Sequence, residues 1–264
     1  MLSRTQFHEP VPSAYVAKHK ALSSKAVTLE LIWQKKKQFG FTVNEHVFNP
    51  IDSIVAHKLI DLVLAEKIKV ADKSVIDLGC GSGVIGLCAI VRKAKKVLFT
   101  DINPHIDGIQ RHPLYRKSDE WQVQDILSDV PDSSYDTVLV LPPWMVVQEE
   151  HQIAYDTFEA GIFRPSNLYG KILTDSGRVL RPGGELVVWL RFPLVSIQSL
   201  IELLATAADR FDMASATLLA HGIESLICTE HESSLMGRWI YKLQKGGVAK
   251  DAIWMMLSLT KRRT

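Results

Sequence analysis

Apolar residues recur along this chain in two rhythms. Short apolar runs closed by an acid, a proline or a glycine alternate with stretches in which apolar positions return every three or four residues. The runs predict buried strands at 74–78, 96–100, 121–124, 137–141 and 185–190. The helical spacing predicts helices over 27–38, from 52 or 53 to 66, over 84–92, 153–180 and 197–208, and a short one after Pro104. In the first of these Leu29, Ile32 and Trp33 form the stripe and Gly40 ends it. In the second, Asp52 or Ser53 is the N-cap and Ile54, Val55, Leu59, Leu62 and Val63 face inward. Pro142 and Pro143 stop the fourth strand, since proline cannot donate to a ladder. Residues 211–219 and 238–243 read as closing antiparallel strands, and 223–228 as extended. Strands separated by helices predict an α/β sheet, mostly parallel, with helices on both faces. Its ligand crevice belongs at the carboxyl ends of the first and fourth strands, where the winding reverses.

The chain hinges on 75–86, Val-Ile-Asp-Leu-Gly-Cys-Gly-Ser-Gly-Val-Ile-Gly. A buried strand passes there into a helix through a turn too tight for side chains, and bare backbone can touch a ligand. Gly81, Gly83 and Gly86 satisfy the dinucleotide spacing, and Asp101 lies near the distance of a ribose-binding acid. A nicotinamide-dependent oxidoreductase is therefore one reading. The other gives weight to Asp77, two residues before Gly79. An acid beside a helix N-terminus repels a pyrophosphate. It suits the ammonium and sulfonium of S-adenosylmethionine. Asp77, Asp101 and Asp125 fall one per strand end. Singly each is an ordinary cap or loop acid. Together they serve one nucleoside ligand, with Asp101 on the ribose hydroxyls, Asp125 and Ile126 at the adenine edge, and Asp77 toward the amino-acid end.

Composition narrows the setting. With 264 residues, 47% of them hydrophobic, the chain builds one large domain or one with an appendage. No apolar stretch is long enough for a membrane span, and no apolar leader follows Arg4. Cys80, Cys88 and Cys228 are too scattered for a disulfide framework or a metal site, so a reducing, cytoplasmic setting is expected, with no metal. Residues 1–46 hold seven Lys/Arg against three Asp/Glu, and residues 237–264 seven against one, so the middle is net acidic. Lys35-Lys36-Lys37 and Lys261-Arg262-Arg263 are short and lack interleaved aromatics, which reads as solvated surface rather than a nucleic-acid site.

From about residue 41 to 244 the chain resembles the class I S-adenosylmethionine-dependent methyltransferases, and more narrowly the methyltransferase-small group with its protein-glutamine and ribosomal-RNA guanine N-methyltransferases. Phe48-Asn49-Pro50-Ile51-Asp52-Ser53 is similar to the F-x-P-x-x-D-[ST] entry, Asp77 to Gly83 to D-x-G-x-G-x-G, and Asp101-Ile102-Asn103-Pro104 to D-x-[ND]-P. Leu141-Pro142-Pro143-Trp144 stands where the group has N-P-P-[YF], followed by Glu159-Ala160-Gly161-Ile162 and Leu180-Arg181-Pro182-Gly183-Gly184. The resemblance implies a Rossmann-like, seven-stranded, mostly parallel sheet with an N-terminal helical extension. It implies a cofactor site at Phe48, Pro50, Asp77, Gly79, Cys80, Gly81, Gly83, Asp101, Ile102, Asn103, Asp125, Ile126 and Leu141, and chemistry at Pro142, Pro143 and Trp144. The expected organisation is an extension capping the acceptor pocket (1–46), the catalytic domain (47–244) and a basic tail (245–264) whose 254–257 cluster docks on the core or on a second copy, which would make a homodimer.

Leu141 departs from the group. In N-P-P-[YF] the asparagine and a proline carbonyl hold a planar amino group toward the methyl, and leucine can neither donate nor accept. The Pro142 carbonyl and the face of Trp144 remain for a planar or cationic acceptor. Methyl transfer needs mainly an in-line approach, with a base only where the acceptor is protonated. His46, His151 and Glu149 are the candidates by chain position. No RNA-binding domain is recognisable, which tilts the expected acceptor toward a small molecule and a nitrogen, with protein or RNA as the alternatives. Leu141 also admits a non-catalytic member that binds the cofactor or a partner.

Overall fold

The computed structural model describes residues 13–143, 145–146, 153–165, 167–191, 207–220, 223–229 and 252–263. Just after the expected helix-breaking Pro12, α1 spans Ser13–Leu22. β1 (Val27–Trp33) and β2 (Lys36–Val43) then form an antiparallel hairpin. This corrects the helix expected over 27–38. Val27, Leu29, Leu31 and Trp33 alternate with exposed residues at a period of two. Leu29, Ile32 and Trp33 mimic helical spacing, yet Ile32 is 62% exposed. The turn residues Gln34 and Lys35 both have positive φ, as in a two-residue hairpin loop, but without the Asn-Gly signal that betrays one.

After the hairpin come α2 (Ile54–Leu64), β3 (Ser74–Leu78), α3 (Val84–Val91), β4 (Lys96–Asp101), a 3-10 helix over Pro104–Arg111, β5 (Glu120–Val123) and β6 (Tyr135–Val140). Ser53 caps α2 by accepting from the Ala56 amide at 3.3 Å. Ile54 is 60% exposed, since it falls off the stripe made by Val55, Leu59, Leu62 and Val63. The long helix expected over 153–180 is only α4, Leu168–Val179, preceded by a 3-10 turn (Phe158–Gly161) and by β8 (Phe163–Arg164), which pairs in parallel with β7 (Met145–Val146). Pro165 cannot continue a helix, and a Cβ on Gly161 would meet the Phe48 Cβ at 2.4 Å.

β9 covers Leu180–Arg191, and Arg181-Pro182-Gly183-Gly184 bulges out of it, because Tyr135 pairs with Leu180 while Thr137 pairs with Glu185. β10 (Phe211–Ala220), β11 (Ile223–Thr229) and β12 (Ala252–Lys261) complete one sheet of order β11-β10-β12-β9-β6-β3-β4-β5. Neighbours from β9 to β5 are parallel, and β12 is antiparallel to both β9 and β10. Among the described residues the sheet thus has eight strands, one more than expected, with β11 added at the edge. The partner expected for β10 at 238–243 lies outside the described residues, as does most of the expected 197–208 helix. β12, read as part of a tail, fills the place between β9 and β10 instead. Its Met255, Leu257 and Leu259 pack on the core that holds α4, while Met256 faces the other core with Trp189. Three consecutive buried apolar residues, Met255 to Leu257, fit a strand covered on both faces.

Leu257 is 1% exposed. Leu257→Ala should lower unfolding free energy by about 2–5 kcal/mol in a urea titration. An unchanged midpoint would mean that β12 is dispensable.

Candidate active site

β3 delivers the chain to the glycine turn, and its neighbour β4 holds the turn in place. The Gly79 and Cys80 amides donate to the Thr100 carbonyl at 2.8 and 3.0 Å, and the Gly81 amide donates to Asp101 Oδ2 at 2.9 Å. Gly79, Gly81 and Gly83 have φ of 68, 50 and 73°, which a Cβ would strain. Gly83 is the N-cap of α3 and has no side chain to offer its orphan amides. Asp77 does that work from β3, as its Oδ2 accepts from the Gly86 amide at 2.8 Å. Gly86 in turn admits the Phe99 ring, which a Cβ would meet at 2.3 Å.

Asp77 is buried, and desolvation pushes its carboxyl up to about 8 despite the Gly86 bond and with a further push from Asp101. Asp101 is raised by the same cause, offset by the amides of Asn103, Gly81 and Ile102. Burial, then Asp101 and Asp77, push the Cys80 thiol well up, which marks it as packing and not a nucleophile.

The turn opens on a cavity of about 300 Å³. Gly79, Cys80, Gly81, Asp101, Ile102 and Asn103 form its floor, and Asp125 and Ile126 one wall. Leu141, Pro142 and Pro143 form the opposite wall, and Phe48 and Pro50 a third side. These expected residues are brought together. Asp77 and Gly83 are not among the lining residues. The pleat of β3 turns Asp77 toward α3, so it braces the turn from beneath and does not face the ligand. Trp144, Glu149 and His151 lie outside the described residues. His46 does not line the cavity, and its ring sits 5.1 Å from that of His105.

Asn103 ties the rim together. Its Nδ2 donates to the carbonyls of His46 at 3.0 Å and Thr157 at 3.3 Å, and its Oδ1 accepts from the His105 amide. The hairpin exit and the 158–161 turn thereby meet at one strand end. Phe48 stacks on His19 of α1 at 4.7 Å, so the N-terminal segment does reach the cavity wall. Sequence reasoning missed Gln124, Tyr155, Phe163 and Lys171, which also line the cavity. Lys171 is legible only in the fold, where its Nζ donates to Asp125 Oδ2 at 2.8 Å. Both groups are half-exposed, so the pair adds little stability.

The methyltransferase small domain model matches residues 55–209, more than half of the chain. The chain belongs to the methyltransferase small domain family. Ribosomal RNA large subunit methyltransferase G of Streptomyces avermitilis is 36% identical over 118 residues, 43% of this chain and 27% of that protein. A Methanocaldococcus jannaschii protein described as a protein N5-glutamine methyltransferase is 27% identical over 94 residues, 35% of this chain and 47% of that protein. The matches thus cover less than half the length of these relatives. Among solved structures, the T. thermophilus 16S rRNA N2 methyltransferase in complex with AdoMet and guanosine superimposes with a TM-score of 0.52 at 14% identity, over 91% of this chain and 51% of that one. The fold is therefore shared with that structure.

Asp77 gives a signed pH dependence. Its folded value lies above the ordinary carboxylate range, so the folded protein holds the proton more tightly. That stability is present at low pH and is lost as pH rises through about 8. Asn keeps the acceptor for Gly86 but not the titration. The unfolding free energy of wild type relative to Asp77→Asn should therefore fall across this window, and a flat difference would show that Asp77 is not held protonated.

Proposed function

We propose that the chain is an S-adenosylmethionine-dependent methyltransferase whose acceptor is a nitrogen of ribosomal RNA. The single observation that carries the cofactor is the charge of the cavity. Its floor presents the Asp101 carboxylate, and the N-terminus of α3 is already served by Asp77. Among the described lining residues Lys171 is the one cation, and it is bound to Asp125. A pyrophosphate finds no counter-charge there, which disfavours a nicotinamide dinucleotide. A cationic ligand without phosphate fits.

The residues fit that cofactor part by part. A Cβ built on Gly79 meets nothing within 4 Å, so bare backbone faces open space at the turn. The Asp101 oxygens accept the Gly81 and Asn103 amides and keep lone-pair capacity for the ribose hydroxyls. Ile102 and Ile126 offer apolar surface to a flat base, with Gln124 and Asp125 at its edge. Bound there, the cofactor supplies a methyl activated by its sulfonium. The protein holds the acceptor in line and excludes water. A neutral ring or amino nitrogen carries its own lone pair and needs no dedicated base.

The acceptor rests on the relatives and on Leu141. Ribosomal RNA large subunit methyltransferase G supports an RNA acceptor, and no relative supports the small molecule expected from the sequence. Leu141 replaces an amino-binding asparagine with an apolar wall, which leaves stacking and the Pro142 carbonyl to hold a flat base. The Pro142 backbone and the half-exposed Tyr155 ring border the same space.

Methyl-labelled S-adenosylmethionine, supplied with protein-free ribosomal RNA and, separately, with ribosomal proteins, tests the acceptor. Label should enter a base of the RNA. Label in protein or in the small-molecule fraction alone would contradict the reading. Asp101→Ala should weaken S-adenosylhomocysteine binding by about 1–3 kcal/mol in calorimetry, because the ribose hydroxyls lose their acceptors. Unchanged affinity would place the ribose elsewhere.

A further inference from the structure

We infer that the face formed by the amino ends of the central strands is a docking surface for the phosphate backbone of folded RNA, remote from the reaction cavity. The inference rests on the ribosomal-RNA reading above and adds where such an RNA is gripped. The loop between α2 and β3 carries Lys67 and Lys69, the loop between α3 and β4 carries Lys93 and Lys95, and the tip of the β1–β2 hairpin carries Lys35 and Lys36. All are exposed, and none makes an ion pair among the described residues.

Hydrogen bonds and packing contacts join the three segments into one surface. The Asp72 amide donates to the Lys93 carbonyl at 2.9 Å, and the Lys95 amide to the Lys73 carbonyl at 2.8 Å. The Arg92 guanidinium lies 5.1 Å from the Trp33 ring centre and 3.6 Å from Glu66, and Trp33 Nε1 donates to Asp61 at 2.8 Å. The hairpin tip thus sits on the ends of α2 and α3. Three carboxylates of this edge already have partners, Asp61 in Trp33, Glu66 in Arg92 and Glu30 in Lys37, and the exposed Asp72 is the acid that stands beside the lysines. The lysines are left to solvent. Two of them, Lys35 and Lys93, stand at positive φ of 62°, where glycine is the easier residue.

The other end of the sheet has the opposite character. The cavity exposes Asp101 and Asp125, and its Lys171 is already paired. An RNA acceptor gains no phosphate attraction at such a mouth, so its electrostatic affinity must come from elsewhere on the protein. The basic edge supplies it. The five residues of β3 separate the two ends by about 17 Å at the usual strand rise, so one RNA must curve around the domain to touch both. A folded RNA can do this, whereas a short stem cannot.

The test is a triple charge reversal, Lys69→Glu, Lys93→Glu and Lys95→Glu, with retained S-adenosylhomocysteine affinity as the check on folding. The probe is a fluorescently labelled transcript of a folded large-subunit rRNA domain, titrated at several salt concentrations. The variant should bind at least about tenfold more weakly, and the slope of log affinity against log salt should shrink by about 2–3, for three lost phosphate contacts. Methyl transfer to the same RNA should lose through KM with kcat kept. Wild-type affinity and slope in the variant would overturn the docking surface while leaving the rRNA reading intact. Loss of binding in the variant, with no methylation of any rRNA by the wild type, would keep the surface and remove that reading. A wild type that ignores the RNA and binds phosphatidylserine vesicles through the same lysines would overturn the inference in favour of a membrane.

Discussion

The structure depends on one buried hydrogen bond, from the Gly86 amide to Asp77. The first amides of α3 need acceptors, and the N-cap position is Gly83, at a positive φ that favours glycine, so the cap residue has no side chain to offer. Asp77 reaches across from β3 in its place. The arrangement fixes the turn from beneath, while Asp101, from the end of β4, fixes it from the ligand side through Gly81. Removing water from both carboxyls raises their proton affinity. The two acids thus divide the work, Asp77 serving the fold from beneath the turn and Asp101 open to the cavity.

Around this centre the methyltransferase small domain distributes its labour by strand end. β4 ends in Asp101 and Asn103, which respectively lock the turn and gather the hairpin exit and the 158–161 turn at the rim. The segment after β5 contributes Asp125 and Ile126, and β6 runs into Leu141, Pro142 and Pro143. The acid-rich mouth and the lysine-rich opposite edge then give the molecule two poles. In the proposed reading, the cofactor and the RNA backbone meet different ends of the same sheet.

The parallel half of the sheet was legible because its strands are short apolar runs stopped by acids or prolines, and each predicted strand from 74 to 141 has both ends within two residues of the observed one. The hairpin was not, because Leu29, Ile32 and Trp33 fit a helical stripe as well as Val27, Leu29, Leu31 and Trp33 fit a strand, and the turn carries no glycine. β12 was hidden by distance, since its partners β9 and β10 lie far back in the sequence. Of the expected site residues, Gly79, Gly81, Asp101 and Pro142 line the cavity. Spacing does not say which face of a strand an acid occupies, so the Asp77–Gly86 bond is legible only in the fold. Lys171 and Tyr155 come from segments with no motif and are brought to the cavity only by the packing of α4 and of the turn before it.

The most direct test of this account is a crystal structure with S-adenosylhomocysteine bound. It should place both ribose hydroxyls within hydrogen-bond distance of Asp101, with Asp101 still on the Gly81 amide and Asp77 still on the Gly86 amide and out of contact with the ligand. A ligand that displaces Asp77 from Gly86, or whose ribose lies away from Asp101, would contradict it.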